Sequence, residues 1–439
     1  MSDKASDPGA AQASAVSGRW WILFVLTLVY SLNVVDRYLL GILLPQIKAE
    51  LALPDWSLGV LSGFAFAIFY ATLGLPIARL ADKHSRKTII SACLGLFSVA
   101  TALCGFATSF FTLFLARIGV GVGEAGTGPA SYSIISDLFE KARRSTAMAI
   151  YAIGGNIGLL VGFAVGGYMA ANYGWRTAFF VIGTPGVLVA LLAYLTVRDP
   201  QRGAADGLAG EECASTSMME AFRFLWSQPA FRWIVIGSTL VQFLGTGVVN
   251  WLPSMLERSH SMVEDEVGIK LGLAIGVAGS IGTLILGGLV ADRLSKRDLR
   301  WGLWVLVIGE LLLIPGYALV LIAPTGDLAI TAFVLPAMLA TFFMGPVLAL
   351  TQALAPTNMR ATAGALLMFI ISLVGAGLGP VAVGLLSDIL NPTLGQDSLR
   401  AALWLAPVAA AFAALAYAMA AKTIIGDIQR AETTTAPAS

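Results

Sequence analysis

The chain of 439 residues is 57% hydrophobic and 12% charged, against about 25% charged residues in an average soluble protein, which excludes a soluble globular core and points to the membrane. A formal net charge of +1, with the basic residues in short clusters and not in a continuous stripe, gives no reason to expect nucleic acid as a partner. Cys93, Cys104 and Cys213 lack metal-ligand spacing and two of them share one apolar segment, so neither a disulfide framework nor a zinc site is expected.

Residues 1–19 are polar, small and rich in Ala and Ser, without an apolar signal-peptide core or a cleavage site. They are expected to form a disordered cytoplasmic tail, the first span serving as an uncleaved insertion signal. A helix needs about 20 apolar residues to cross a bilayer core of about 30 Å. By that ruler twelve spans are predicted, near 20–44, 57–80, 88–107, 110–133, 146–171, 177–197, 232–255, 267–290, 301–323, 328–354, 362–390 and 399–423. The one long polar stretch, 198–231, becomes a cytoplasmic linker between an N-terminal bundle over 20–197 and a C-terminal bundle over 232–424, and 425–439 becomes a second cytoplasmic tail. The predicted fold class is an all-α membrane protein, twelve transmembrane helices in two pseudo-symmetric six-helix bundles. With the N-terminus cytoplasmic, 20 of the 27 basic residues fall in cytoplasmic tails and loops, as the excess of Lys and Arg on that side requires.

Ionisable residues inside a membrane are costly and tend to face the bundle interior or a watery cavity. Asp36 and Arg37 in the first span, Arg117 and Glu124 in the fourth and Glu310 in the ninth are such residues. At 100° per residue, Tyr30, Asn33, Asp36 and Arg37 share an arc of about 120° on the first span. Arg117, Gly121, Glu124, Gly128 and Ser131 share an arc of about 80° on the fourth, a narrow stripe of glycine and polar groups that leaves room for a ligand. At 1.5 Å per residue, Asp36, Arg37 and Arg117 lie at one level, about 6–8 Å outward of the midplane, and Glu124 lies one to two turns deeper. Neighbouring residues on a helix point apart, so Asp36 is expected to pair with Arg117, and Arg37 to reach Glu124 or an anionic ligand. A carboxylate near Arg117 favours its charged form and takes up a proton when the pair parts, so Asp36 and Glu124 are candidates for proton coupling. The alternative is a static ion pair locking two helices. Glu310 has no basic partner at its depth and is expected to be protonated or hydrogen-bonded to a neighbouring helix.

The loop at 78–87 reads A-R-L-A-D-K-H-S-R-K, and about 210 residues later 288–297 reads G-L-V-A-D-R-L-S-K-R. Arg144-Ser145-Thr146-Ala147 is echoed by Arg360-Ala361-Thr362-Ala363. Two homologous membrane halves explain both repeats, and duplicated halves mark secondary transporters. Asp82 with Arg86, Asp292 with Arg293, and the paired Arg144 and Arg360 are assigned to scaffold and gating, because an acidic helix end held by arginines makes a contact that forms in one conformation and breaks in another. In the fifth span Gly154, Gly158, Gly162 and Gly166, and in the eleventh Gly375, Gly379 and Pro380, follow the small-residue spacing that lets helices pack closely. On the seventh span Gln242, Thr246 and Asn250, with Thr239, recur at helical spacing and either line a cavity or hydrogen-bond between helices. Charge on one wall and neutral polarity on the other suit a ligand with an anionic head and an apolar or neutral body.

These residues carry a family resemblance. The basic loop at 78–87 resembles the loop signature of the major facilitator superfamily, with Ala78 and Ser85 where that signature has glycine. N-V-V-D-R-Y at 33–38, R-I-G-V-G-V-G-E-A-G at 117–126, S-Y-S-I-I-S-D-L-F at 131–139 and V-R-D-P-Q-R-G at 197–203 are similar to its spinster branch, and sugar-acid and aromatic-acid carriers share parts of them. The resemblance implies a proton-linked carrier of lysophospholipid-like or sphingoid-phosphate-like substrates in a bacterial inner membrane. It implies Asp36 as protonation switch, Arg37 near the substrate head, and Arg117 and Glu124 as their partners. Arg37, Arg117, Asn33, Tyr30, Gln242, Thr246 and Asn250 are thus the expected substrate-binding residues. The expected partners are an amphipathic or organic-anion substrate, protons and membrane lipids, with the chain a monomer that needs no cofactor. No H-E-x-x-H, G-x-S-x-G or P-loop is present and the two histidines, His84 and His260, fall in predicted loops, so an enzyme is not expected. A channel would want a ring of charges or a multi-subunit filter.

Overall fold

In hydrocarbon a backbone must satisfy its own hydrogen bonds, and an apolar run of this length does so as a helix. The structure, a computed structural model, describes residues 8–201, 218–282, 298, 300–340, 342–356 and 359–435, and every regular element among them is helical. In chain order these are α1 (Pro8–Leu51), α2 (Asp55–Gly59), which runs through a π-helical turn (Val60–Phe64) into α3 (Ala65–Lys83), α4 (Arg86–Cys104), α5 (Phe110–Glu124), α6 (Thr127–Leu138), α7 (Lys141–Tyr173) and α8 (Trp175–Thr196). After the polar stretch come α9 (Met218–Ser227), α10 (Pro229–His260), α11 (Glu264–Gly282), α12 (Trp301–Ile322), α13 (Gly326–Leu339) and α14 (Met344–Ala353). The last group is α15 (Arg360–Ile370), a second π-helical turn (Ile371–Ala376), α16 (Gly377–Leu394), α17 (Ser398–Ala402) and α18 (Leu405–Thr435).

Among the described residues nine stretches are long and apolar enough to cross a membrane by length and composition. The twelve predicted spans differ from these nine stretches at three places. The fourth is broken into α5 and α6 by a turn at Ala125 and Gly126, the eighth runs out of the described residues after Gly282, and the last two merge into one stretch of 69 residues, Thr362–Arg430. Within the stretch 198–231 expected as a linker, α9 is helical and α10 begins at Pro229, whose fixed φ favours the first helical turn and whose missing N–H costs nothing there. His260, expected in a loop, is the last residue of α10.

Chain order divides the helices into two sets, α1 to α8 before the polar stretch and α10 to α18 after it. In the first, α1 lies along α7 and α4 along α8; in the second, α10 and α12 lie along α18. The glycine ladder of α7 makes the first contact close: a Cβ on Gly158 would come within 2.9 Å of the Val34 side chain and one on Gly162 within 2.7 Å of the Val35 carbonyl. The two sets meet where α7 packs on α11, α1 on α10, and α2 on α16. The last crossing joins the helices that carry the two π-helical turns, with Gly63 against the Ala376 carbonyl and Pro380.

The hydrogen bonds between the two sets, among the described residues, gather at the end away from the basic loops. Asp55, 2% exposed, accepts from Arg258 at 2.7 and 2.8 Å, from Lys48 at 2.6 Å and from the Ser387 hydroxyl at 2.8 Å. Reciprocally, Asp388 accepts from the backbone N–H groups of Asp55 and Trp56 at 3.0 and 2.7 Å, capping α2. Gln46 adds a bond to Glu264 at 3.1 Å. This clasp closes one end of the molecule. Breaking a buried pair strands the remaining charge at a cost of about 3–5 kcal/mol. Arg258→Ala, which leaves Asp55 to Lys48 and Ser387, is expected to lower the thermal midpoint of the purified chain by several degrees, while Asp55→Asn with Arg258→Gln loses less; equal losses would mean that the clasp adds no net stability.

Candidate functional site

Glycine shapes the ground of the site. A Cβ on Gly121 would meet the Phe66 carbonyl at 2.7 Å, and one on Gly123 the Phe97 backbone at 2.5 Å. The G-V-G-E-A-G run therefore lets α5 press against α3 and α4, at a helix-propensity cost of about 1 kcal/mol per glycine. The helix ends at Glu124, and Thr127 restarts it with its hydroxyl on the Glu124 carbonyl at 2.9 Å. Asn33 of α1 donates to that same Thr127 hydroxyl at 2.6 Å, which ties the break to the first helix. Discontinuous helices expose backbone polar groups and recur at transporter binding sites.

Around this break the four charges form two pairs of different character. Arg117 donates to Asp36 at 2.6 Å and Thr101 supplies a second bond at 2.8 Å, with both side chains of the pair 1% exposed. The pair is sealed. Arg37 is bound to Glu124, but its side chain is 38% exposed and its guanidinium lies over the rings of Phe66 and Tyr70, 4.9 and 5.5 Å from their centroids. That pair is open, and it is incompletely satisfied. Arg37 Nε, Glu124 Oε2 and Asn33 Oδ1 are buried without hydrogen-bond partners, a condition that normally calls for a ligand or water. The Asp36–Arg117 pairing matches the helical depths read from the sequence, whereas Arg37 reaches Glu124 across the one to two turns that separate their expected depths.

Tyr30, also singled out in the sequence, stacks on Tyr151 with centroids 4.8 Å apart, and Tyr132 meets Tyr151 edge-on at 5.3 Å. The C-terminal set contributes differently. Thr246 donates to the Gln242 carbonyl at 2.7 Å and Asn250 to the Thr246 carbonyl at 2.9 Å, so both side chains bond back to their own helix. Gln242 and Thr246 pack beside Gly375 and Gly379, whereas Asn250 approaches Gly41 of α1, one turn beyond Arg37, and keeps an unpartnered buried Oδ1.

Of the residues assigned to scaffold and gating, Arg86 is 2% exposed and fully engaged. Its backbone N–H and Nε reach Asp199 at 2.7 and 2.8 Å, Nη1 reaches Ser133 at 2.9 Å and Asp137, and Nη2 reaches the Pro200 carbonyl. The V-R-D-P motif thereby fastens the end of α8 to the start of α4 and to α6. Arg144 caps α6 through the carbonyls of Ser136 and Phe139 at 2.8 and 3.4 Å. Arg360 is exposed at the first turn of α15. The Asp82 side chain, Asp292 and Arg293 lie outside the described residues. Glu310 is 1% exposed with Oε2 unpartnered, remote in sequence from both pairs. Sequence reasoning missed Thr101, Thr127, Phe66, Tyr70, Tyr132 and Tyr151. Ser98 and Thr101, one helical turn apart in an apolar span, were the available signal for the first of these.

A family profile, Major Facilitator Superfamily, matches residues 26–380. An MFS-type efflux pump of Mycolicibacterium smegmatis is 36% identical over 386 residues, 88% of each chain. Protein spinster homolog 3 of Danio rerio is 27% identical over 403 residues, 88% of this chain and 80% of its own. Among solved structures, a bacterial homologue of the human lysosomal transporter Spinster, inward-facing and occupied, superposes with a TM-score of 0.82 at 29% identity, covering 93% of this chain and 98% of the other.

The sealed pair makes a double-substitution test. Arg117→Leu alone leaves Asp36 buried against Thr101 only, and should cost about 3–5 kcal/mol. Asp36→Asn with Arg117→Leu removes both charges and should recover most of that loss. Thermal or chemical unfolding of the purified variants reads the difference, and strictly additive effects would refute a direct pair.

Proposed function

The chain belongs to the Major Facilitator Superfamily and is a membrane transporter of a small-molecule substrate, and from that premise we propose that it couples movement of an amphipathic anion to protons. The observation that carries this reading is the open Arg37–Glu124 pair lying beside the sealed Asp36–Arg117 pair. A proton on Glu124 releases Arg37, whose guanidinium then accepts the substrate's acid head in place of the carboxylate. Proton and anion therefore arrive together, and the site stays neutral throughout. Asp36 is the conformational half of the device: it holds Arg117 while the helices stay as they are, and it takes a proton when α1 and α5 part.

The proposed architecture is twelve spans in two bundles, 20–197 and 232–424, with both termini cytoplasmic and the chain a monomer in a bacterial inner membrane. In that orientation the Asp55 clasp closes the outer end, and substrate reaches Arg37 from the cytoplasmic side by alternating access. The motifs of the first and fourth spans and the likeness to spinster proteins favour a lysophospholipid-type or sphingoid-phosphate-type amphiphile. The likeness to a mycobacterial efflux pump favours a second reading, export of a small organic acid or drug.

Uptake into proteoliposomes under an imposed pH gradient, comparing lysophospholipids with small organic acids, tests both. Gradient-driven movement is expected for the native chain and should be abolished by Asp36→Asn without loss of expression. Arg37→Ala should raise the half-saturating concentration of an anionic substrate at least tenfold. Normal pH-driven transport by Asp36→Asn would remove the switch, and movement of small acids alone would discard the lipid assignment.

A further inference from the structure

We infer that the cargo carries a flat aromatic ring about 10 Å from its acid head, received on a shelf made by Tyr30, Tyr132 and Tyr151. The inference rests on the proposed binding of that head at Arg37, and of the two proposed cargo classes it favours the organic acid or drug over the lipid-like amphiphile, whose tail carries no ring. Tyr30 lies on the same arc of α1 as Asn33 and Arg37, seven residues before Arg37, which is about 10 Å along the helix. Its ring stacks on Tyr151 of α7 at 4.8 Å with the planes 18° apart, and lies across Gly155, where a Cβ would come within 2.8 Å of it. Tyr132 of α6 closes the corner edge-on at 5.3 Å and 65°.

The three rings are not equally enclosed. Tyr151 is 1% exposed and serves as the common wall, Tyr30 is half-buried, and Tyr132 is 49% exposed although it meets Tyr151 in a T-shaped contact. A corner with one stacked face and one edge-on ring, its outer members still uncovered, presents the offset and T-shaped geometries that a further aromatic ring prefers. An alkyl chain gains only burial there, which the Val and Leu side chains elsewhere on these helices would give equally well. A rigid ring also loses less conformational freedom on binding than a chain of methylenes. Phe66 and Tyr70 do not extend the shelf, because the Arg37 guanidinium already covers them.

The test uses the full-length chain in lipid nanodiscs, with empty discs subtracted, and two acids of one charge and similar apolar size, 6-(2-naphthyl)hexanoate and dodecanoate. Calorimetric titration should show the naphthyl acid binding about tenfold more tightly, equivalent to about 1.4 kcal/mol. Tyr132→Leu keeps an apolar side chain but removes the ring, and should abolish that preference while changing dodecanoate affinity less than twofold. Tyr132→Phe should retain the preference. Equal affinities for the native chain, an undiminished preference in Tyr132→Leu, or no binding of either acid would overturn the shelf. Arg37→Ala separates the two readings: it should weaken both acids alike with their ratio kept, and unchanged affinity for both would count against the head-group assignment alone.

Discussion

A carboxylate and a guanidinium brought together into a low-dielectric interior nearly break even, since the large penalty of desolvating each ion is offset by their mutual attraction and by hydrogen bonds. The Asp36–Arg117 pair sits at that balance, with Thr101 supplying the extra bond to the carboxylate. Much of the surrounding construction serves to hold it there. Arg117 reaches α1 because Gly121 and Gly123 let α5 lie against α3 and α4, and Asp36 stays in place because the glycine ladder of α7 grips α1. A pair that adds little net stability is no use as a rivet. It is well suited to a switch, because two arrangements separated by only a few kcal/mol can exchange when a proton or a ligand shifts the balance.

In the proposed mechanism the second pair converts that balance into coupling. Asp36 and Arg37 are adjacent on α1 and point about 100° apart, while Arg117 and Glu124 lie two turns apart on one face of α5. Both pairs therefore bridge the same two helices in different directions, and a rotation or slide of α1 against α5 must disturb both together. Whatever one pair binds is then felt by the other, and the effect is reciprocal by linkage. Lys48, which helps clamp Asp55, is on the same continuous helix as Asp36, roughly 18 Å further along. The clasp at one end and the pairs near the middle are thus mounted on one rigid element.

Much of this was legible in the sequence, for a simple reason. Charges in a membrane span are so unfavourable that each of Asp36, Arg37, Arg117 and Glu124 called for a partner, and helical rise placed Asp36 and Arg117 at one depth while leaving Arg37 to Glu124 or an anionic ligand. The all-helical class and the existence of most spans followed with equal economy from hydropathy. What remained hidden depended on three-dimensional crossings. Asp55 reads as an ordinary loop acid until α10 and α16 bring Arg258 and Ser387 to it. Asp199 reads as part of a motif until Arg86 is found wrapped around it. The break after Glu124 was written in G-E-A-G, but an apolar count across 110–133 averages over a turn of two residues. Of the tyrosine corner only Tyr30 was legible, from its place on the polar arc of the first span; Tyr132 and Tyr151 were not, because aromatic residues in apolar helices usually signify packing.

The asymmetry between the two sets of helices follows from the same electrostatics. The four paired charges lie on α1 and α5, while the facing helix α10 offers Gln242, Thr246 and Asn250, which carry no charge and largely satisfy themselves on their own backbone. When two bodies rock against each other, groups on the moving surface pass through environments in which their partners change. An ion on that surface would be stripped of its partner in mid-passage, at a cost of several kcal/mol, whereas an amide or hydroxyl bonded to its own helix carries its partner along. Near the middle of the molecule the paired charges stand on one wall only, whereas at the clasp Arg258 and Asp388 bring charge to the second set as well. The glycine-lined crossings and the paired π-helical turns at Val60–Phe64 and Ile371–Ala376 would suit the proposed alternating access, because such a backbone can adjust locally without unfolding.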